Sequence, residues 1–194
     1  LFLHEQIASL SQYAIVYLAM IAMLGTIVST GHKIKFVEIG SIIFLTAYIF
    51  IGFYCLFMIR NLSLSHVAYL LLTIWFTDSF AYFGGMKFGK NKLSPKISPN
   101  KSIEGSVIGS LSSIVIALLF FYTTNIFSSL LVAIAITLVV SAVGQFGDLI
   151  ESAYKREYQV KDSSNLLPGH GGIFDRFDSV ILSAPCLIIL LSLF

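Results

Sequence analysis

The chain predicts an all-α, polytopic integral membrane protein with about six transmembrane helices and a cytoplasm-facing polar active site, and three observations carry that prediction. Hydrophobic residues make up 57% of the 194 and charged ones only 11%, with a mean hydropathy of +0.89, which excludes an ordinary water-soluble domain. Several charge-free apolar runs approach the roughly 20 residues that an α-helix needs to cross a bilayer. Charge is concentrated in the stretches between them, and backbone in lipid must satisfy its own hydrogen bonds, so the spanning elements are helices.

Apolar runs bounded by charge place the spans at about 7–28, 36–59, 64–83, 107–122, 126–143 and 179–194. The fourth and sixth are about 16 residues each, short enough to need tilt or continuation by flanking helix. Lys33 and Lys35 lie between the first two spans. Lys87, Lys90, Lys92, Lys96 and Lys101 lie around the third-to-fourth connection, and Lys155, Arg156, Lys161 and Arg176 in the fifth-to-sixth. Of the basic residues only Arg60 falls elsewhere, so the positive-inside rule makes these three connections cytoplasmic and both termini external. No repeat or low-complexity linker is visible, which predicts a single membrane-embedded domain over 1–194. Cys55 and Cys186 sit in apolar runs without a metal or redox spacing and read as packing residues.

Four polar constellations remain. In G-D-L-I-E-S-A-Y-K, Asp148, Glu151 or Ser152, and Lys155 recur on one helix face. That is either a charge stripe on an exposed helix end or an ionisable site at membrane depth. In L-P-G-H-G-G-I-F-D-R-F-D, Gly169, Gly171 and Gly172 permit close backbone approach to phosphate oxygens. Asp175 and Asp178, at i,i+3, offer hard oxygen donors suited to Mg²⁺, or else simply complement a helix N-terminus. His170 reads as a turn residue or a hydrogen-bonding partner. Asp78, at the end of the third span, calls for a polar cavity rather than lipid, with Gly84 and Gly85 as a helix stop or a close approach. The basic stretch up to Glu104, with Pro95 and Pro99, is extended, turn-rich and anion-attracting, whether toward lipid headgroups or a substrate phosphate. Carboxylates for a divalent cation, basic groups for phosphates and a glycine loop on one membrane surface point to phosphoryl or nucleotidyl transfer on a lipid.

At these residues the chain resembles the phosphatidate cytidylyltransferases, or CDP-diacylglycerol synthases. The likeness runs through Ser152, Lys155, Arg156, Lys161 and Asp162, then L-P-G-H-G-G (Leu167 to Gly172), then Asp175, Arg176 and Asp178. Upstream it includes Asp78, Ala81, Tyr82 and Gly85; Ser98, Pro99, Lys101, Ser102, Glu104 and Gly105; and Gly147, Asp148, Leu149, Glu151 and Ser152. Bacterial members are usually longer, with additional N-terminal spans, so a segment before Leu1 is expected.

The resemblance implies that CTP and phosphatidate react to give CDP-diacylglycerol and pyrophosphate. It implies Mg²⁺ on Asp148, Asp175 and Asp178, a monovalent ion such as K⁺ nearby, and Lys155 as a catalytic residue with those carboxylates. Phosphate or nucleotide binding then falls to Asp78, Tyr82, Gly85, Lys96, Lys101, Ser152, Arg156, Lys161, Asp162, His170, Gly171, Gly172 and Arg176. It further implies a homodimer in the lipid bilayer of a bacterial inner membrane, without a nucleic-acid partner. A CTP-dependent lipid kinase is the alternative within enzymes. A transporter, the alternative outside them, would scatter charge through the middle of several spans, whereas here only Asp78 lies within a run.

Overall fold

The structure, a computed structural model, describes residues 17–18, 20–26, 28–30, 35–164, 166 and 171–194. The chain divides into two compact units, 1–48 and 49–194. In the first, the described residues from 17 to 29 are helical, and the Thr26 and Thr30 hydroxyls donate to carbonyls three and four residues back, at 2.6 Å each. Helix α1, Phe36–Leu62, begins in this unit, where Glu38 reaches back to accept from the Lys35 backbone N–H at 3.0 Å, half of a capping box.

The second unit holds the rest of α1 and α2 (Leu64–Phe88), a hairpin of β1 (Lys92–Ser94) and β2 (Ser98–Ser102), α3 (Ile103–Ser112), α4 (Ile114–Thr123), α5 (Leu130–Glu157) and α6 (Phe174–Leu193). Among the described residues five helices are long and apolar enough to cross a membrane: α1, α2, the nearly continuous pair α3–α4 over Ile103–Thr123, α5 and α6. They match five of the six predicted spans, and most of the first predicted span lies outside the described residues. The two short predicted spans are lengthened as membrane thickness requires, to 21 residues for Ile103–Thr123 and 20 for Phe174–Leu193. The α3–α4 seam falls at Ser112 and Ser113, whose hydroxyls bond the Gly109 and Ser110 carbonyls at 2.7 Å and compete with the helical ladder.

The basic connection between α2 and α3 is ordered rather than merely extended. Its strands pair antiparallel, Lys92 opposite Ser102 and Ser94 opposite Ser98. Glu104 ties the base of the hairpin, accepting from the Lys90 and Asn91 backbone N–H groups at 3.1 and 3.2 Å and from Asn91 Nδ2 at 2.7 Å. Ser102 caps α3 by accepting from Gly105 N at 3.1 Å.

The apolar core fills the end of this unit away from the hairpin. Tyr69, fully buried, meets the Phe120 and Phe127 rings edge-on with centroids 5.5 and 5.0 Å away, and its hydroxyl bonds Thr137 Oγ1 at 2.7 Å. Ile59, Leu70, Ile136, Val140, Ala184 and Leu187 complete it. Pro185 cannot donate to Ile181 O within α6, and Gly52 of α1 lies against that carbonyl, where a Cβ would come to 2.7 Å.

Candidate active site

Small residues bring the polar ends together. α3 carries Gly105 and Gly109, a G-x-x-x-G face, against α2. A Cβ at these positions would lie 2.6 Å from the Ala81 and Thr77 carbonyl oxygens respectively. On α5, Gly144 and Gly147 admit α6, with Gly147 meeting the Asp178 carbonyl in the same manner at 2.7 Å. A buried hydroxyl ladder locks the register: Thr77 Oγ1 donates to Ser141 Oγ at 2.9 Å, Ser141 to Ser110 Oγ at 3.0 Å, and Gln145 Nε2 to Ser110 Oγ at 2.9 Å.

That crossing sets Asp178 of α6 beside Asp148 and Glu151, one turn apart on α5, and their carboxylate oxygens lie within 4.8 Å of one another. Cations surround the group. Lys101 of β2 pairs with Asp148, and Ser152 Oγ donates to the other Asp148 oxygen at 3.3 Å. Lys155 Nζ bridges Glu151 at 2.6 Å and Asp175 at 3.0 Å. Glu151 is 2% exposed and its Oε1 has no hydrogen-bond partner, a costly condition for a buried carboxylate oxygen. Even at 4.8 Å, the outer limit of these separations, two ionised carboxylates repel by about 3 kcal/mol at an effective dielectric near 20. Three hard oxygen donors, one with an unused buried oxygen, therefore fit a divalent cation such as Mg²⁺.

Asp175 is not one of this trio but lies in side-chain contact with Glu151, and both its oxygens are engaged. Oδ1 meets Lys155, while Oδ2 accepts from Ser163 N at 2.9 Å, Ser163 Oγ at 2.6 Å and Gly172 N at 2.7 Å. It thereby ties Ser163 and Gly172 to the first turn of α6. Gly171 turns that loop with φ of +80°, and a Cβ there would also approach Asp175 Oδ2 to 3.0 Å. Gly171→Ala is expected to cost about 1–2 kcal/mol from the left-handed backbone alone, measurable as lost thermal stability together with reduced activity.

Two clefts open on this assembly. The larger, of about 690 Å³, is lined by Asp78, Tyr82, Gly85, Lys101, Asp148, Asp175, Arg176 and Asp178 among the sequence-predicted residues. The smaller, of about 560 Å³, takes Ser152, Lys155, Arg156 and Lys161. Asp78 thus faces a cleft, as its cost in lipid demanded. Lys96 is exposed in the hairpin turn outside both clefts. Asp162 is exposed beside Gly171, and Gly172 braces Asp175. His170, like Leu167, Pro168 and Gly169, lies outside the described residues. Glu151 was not singled out as a metal ligand by sequence, although its place three residues after Asp148 put it on the same face. Gln145 and Asn100, which also line the larger cleft, carried no sequence signal.

The whole chain, residues 1–194, matches the profile described as the cytidylyltransferase family. The chain belongs to that family. Among cytidylyltransferase relatives, it is 43% identical over 188 residues to a phosphatidate cytidylyltransferase of Bacillus subtilis strain 168, covering 95% of this chain and 70% of the relative. It is 39% identical over 178 residues to one from Staphylococcus aureus strain COL, covering 92% and 68%. A third, from Staphylococcus haemolyticus strain JCSC1435, is 36% identical over 187 residues, covering 96% and 72%. The cytidylyltransferase match extends over the helices and hairpin that build both clefts.

Proposed function

We propose that this protein transfers CMP from CTP to phosphatidate, giving CDP-diacylglycerol and pyrophosphate for phospholipid synthesis. The observation that carries the reading is the carboxylate trio Asp148, Glu151 and Asp178, ringed by Lys101 and Lys155 at the wall between two clefts of a membrane-spanning cytidylyltransferase. No side chain is needed as nucleophile: a phosphate oxygen of phosphatidate attacks the α-phosphorus of CTP, and the bond from that phosphorus to the oxygen bridging to the β-phosphate breaks. Pyrophosphate leaves with the electron pair. The protein's part is to position two anions and neutralise charge.

Asp148, Glu151 and Asp178 hold Mg²⁺ in this reading, and the ion when bound draws charge from the α-phosphate and the departing pyrophosphate. Lys101 and Lys155 contribute fixed positive charge on either side. Asp175 keeps Lys155 in place and holds Ser163 and Gly172 beside it. The site faces the cytoplasm of a bacterial inner membrane, where CTP is available, and acyl chains stay in the bilayer. K⁺ as a second ion and a homodimeric assembly belong to the same proposal, read out as K⁺ stimulation over Na⁺ and as the mass of the detergent-solubilised particle.

The test is incubation of purified, detergent-solubilised protein with α-³²P-labelled CTP, phosphatidate and Mg²⁺. Label is expected in the lipid phase with one pyrophosphate released per lipid labelled, and EDTA is expected to abolish both. Lipid labelled from γ-³²P-CTP instead would identify a lipid kinase and overturn the reading.

A further inference from the structure

Gln145 is a nearly sealed amide in a membrane-spanning helix, 7% exposed on α5. Its nitrogen is fully committed: Nε2 donates to Ser110 Oγ at 2.9 Å and to the Ser106 carbonyl at 3.3 Å, which uses both of its hydrogens. A carbonyl oxygen only accepts, so a flipped amide would set two acceptors against each other at Ser106. The side chain therefore has one orientation, with Oε1 as the end left over. Among the described residues Oε1 meets no donor, yet it is not shut inside the protein, because Gln145 lines the larger cleft. Ser106 of α3 lines the same cleft, and its hydroxyl likewise makes no hydrogen bond among the described residues. Polar atoms at such depth are normally paired, so a fixed acceptor beside an uncommitted hydroxyl points to an occupant that carries a donor next to an acceptor.

Gln145 precedes Asp148 by three residues on one face of α5, about 4.5 Å along the helix axis. Asp148 and Asp178 line the same cleft, so a group that meets Oε1 lies about one turn from the carboxylates that serve the α-phosphate in the proposed reaction. Phosphatidate has ester carbonyls and phosphate oxygens, which are acceptors, and no N–H. CTP has a 4-amino group, a donor, next to the ring acceptor N3. Uracil shows the reverse pattern, the acceptor O4 next to the donor N3–H.

We infer that Gln145 and Ser106 are the residues that select cytosine, Gln145 Oε1 accepting from the 4-amino group and the Ser106 hydroxyl donating to N3. This rests on the cytidylyl-transfer reading and adds to it the means by which the nucleotide is chosen. UTP would turn O4 toward Oε1, and the amide could answer only by giving up its bonds to Ser110 and Ser106. Rejection thus comes from two acceptors facing each other in a cleft with little water, the kind of mismatch that discriminates more strongly than a missing contact. The ladder through Thr77, Ser141 and Ser110 ends on the Gln145 amide, so the same hydroxyls that set the helix register hold the selecting group still.

The experiment measures kcat/KM for CTP, UTP and the triphosphate of pyrimidin-2-one riboside, which is cytidine without its amine, in wild type, Gln145→Leu and Ser106→Ala. Wild type is expected to favour CTP by about tenfold over the analogue lacking the amine, as for loss of one neutral hydrogen bond, and by about a hundredfold or more over UTP. In Gln145→Leu, CTP and the analogue are expected to react alike, with the preference over UTP reduced to about fivefold. Ser106→Ala removes a hydroxyl that no protein group uses and leaves the backbone carbonyl that pins the amide, so it keeps the fold and is expected to lower the preference for CTP over UTP by about fivefold. That variant carries the test if Gln145→Leu does not fold. Wild-type protein that uses the analogue as well as CTP would overturn the assignment. So would a Gln145→Leu variant that slows all three nucleotides equally, the mark of a packing residue, or one that changes only the preference for CTP over its 2′-deoxy form, which would put a ribose hydroxyl on Oε1. Failure of wild-type protein to label lipid from α-labelled CTP would sink the underlying reading instead.

Discussion

Asp148→Asn is expected to lower CMP transfer to lipid by about a thousandfold, the upper range for removing one preorganised charge from a transition-state site, while the protein elutes and unfolds as wild type does. The substitution keeps the side-chain shape and so leaves the contacts of α5 with α6 in place. It removes a negative ligand from the trio, and it takes away the partner of Lys101, leaving that ammonium to swing with the hairpin. Asp175→Asn is expected to act through a different cause. Its amide can accept only on one oxygen, so either Lys155 or the donors Ser163 and Gly172 lose their partner. A fall of about a hundredfold with half-saturation by Mg²⁺ unchanged is the expected result, set by misplacement of Lys155 rather than by loss of the ion. Near-normal turnover in Asp148→Asn would remove the trio from the mechanism.

Gly147→Ala is the second large effect, and its sign is the informative part. In an open helix interior, alanine in place of glycine stabilises by about 1 kcal/mol. Here the added methyl would stand 2.7 Å from the Asp178 carbonyl oxygen and 3.2 Å from Ser179 Cα, backbone atoms that can yield only if α6 moves. Overpacking of this kind costs about 1–3 kcal/mol, and the displaced element carries Asp178. The variant is therefore expected to lower both the unfolding temperature and the apparent affinity for Mg²⁺, with turnover down about a hundredfold. A variant that is more stable than wild type and fully active would mean that α5 and α6 are not in contact at this glycine.

Much of this arrangement was legible in the chain because membrane helices announce themselves by apolar length, and because an ionisable residue in such a protein has few places to go. Asp78 and Asp148 were visible for that reason, Asp175 and Asp178 as an i,i+3 pair of oxygen donors, and the structure gathers all four on one cleft. The hairpin was not legible as strands. Ser94, Pro95, Pro99 and Asn100 are poor strand formers, and the pairing is held from outside, by Glu104 at its base. The grouping of Glu151 with Asp148 and Asp178, and the engagement of Asp175 with its own loop, depend on how α6 crosses α5. That crossing is set by Gly144 and Gly147 meeting Ser183 and Asp178, a contact between distant positions that no local pattern encodes. The division into two clefts likewise depends on where the hairpin falls against α5, through Lys101 on Asp148 and Arg156 on Ile97.

The claim on which the rest stands is that Asp148, Glu151 and Asp178 form one divalent-cation site while Asp175 does not ligate the ion. The measurement is titration of Mn²⁺ into the purified protein, followed by electron paramagnetic resonance, for wild type and for Asp148→Asn, Glu151→Gln, Asp178→Asn and Asp175→Asn. One tight site in wild type, weakened at least tenfold in each of the first three variants and retained in Asp175→Asn, is the predicted result. Loss of the site in Asp175→Asn together with its survival in Glu151→Gln would contradict it, and would put Asp175 in the place of Glu151 on the metal.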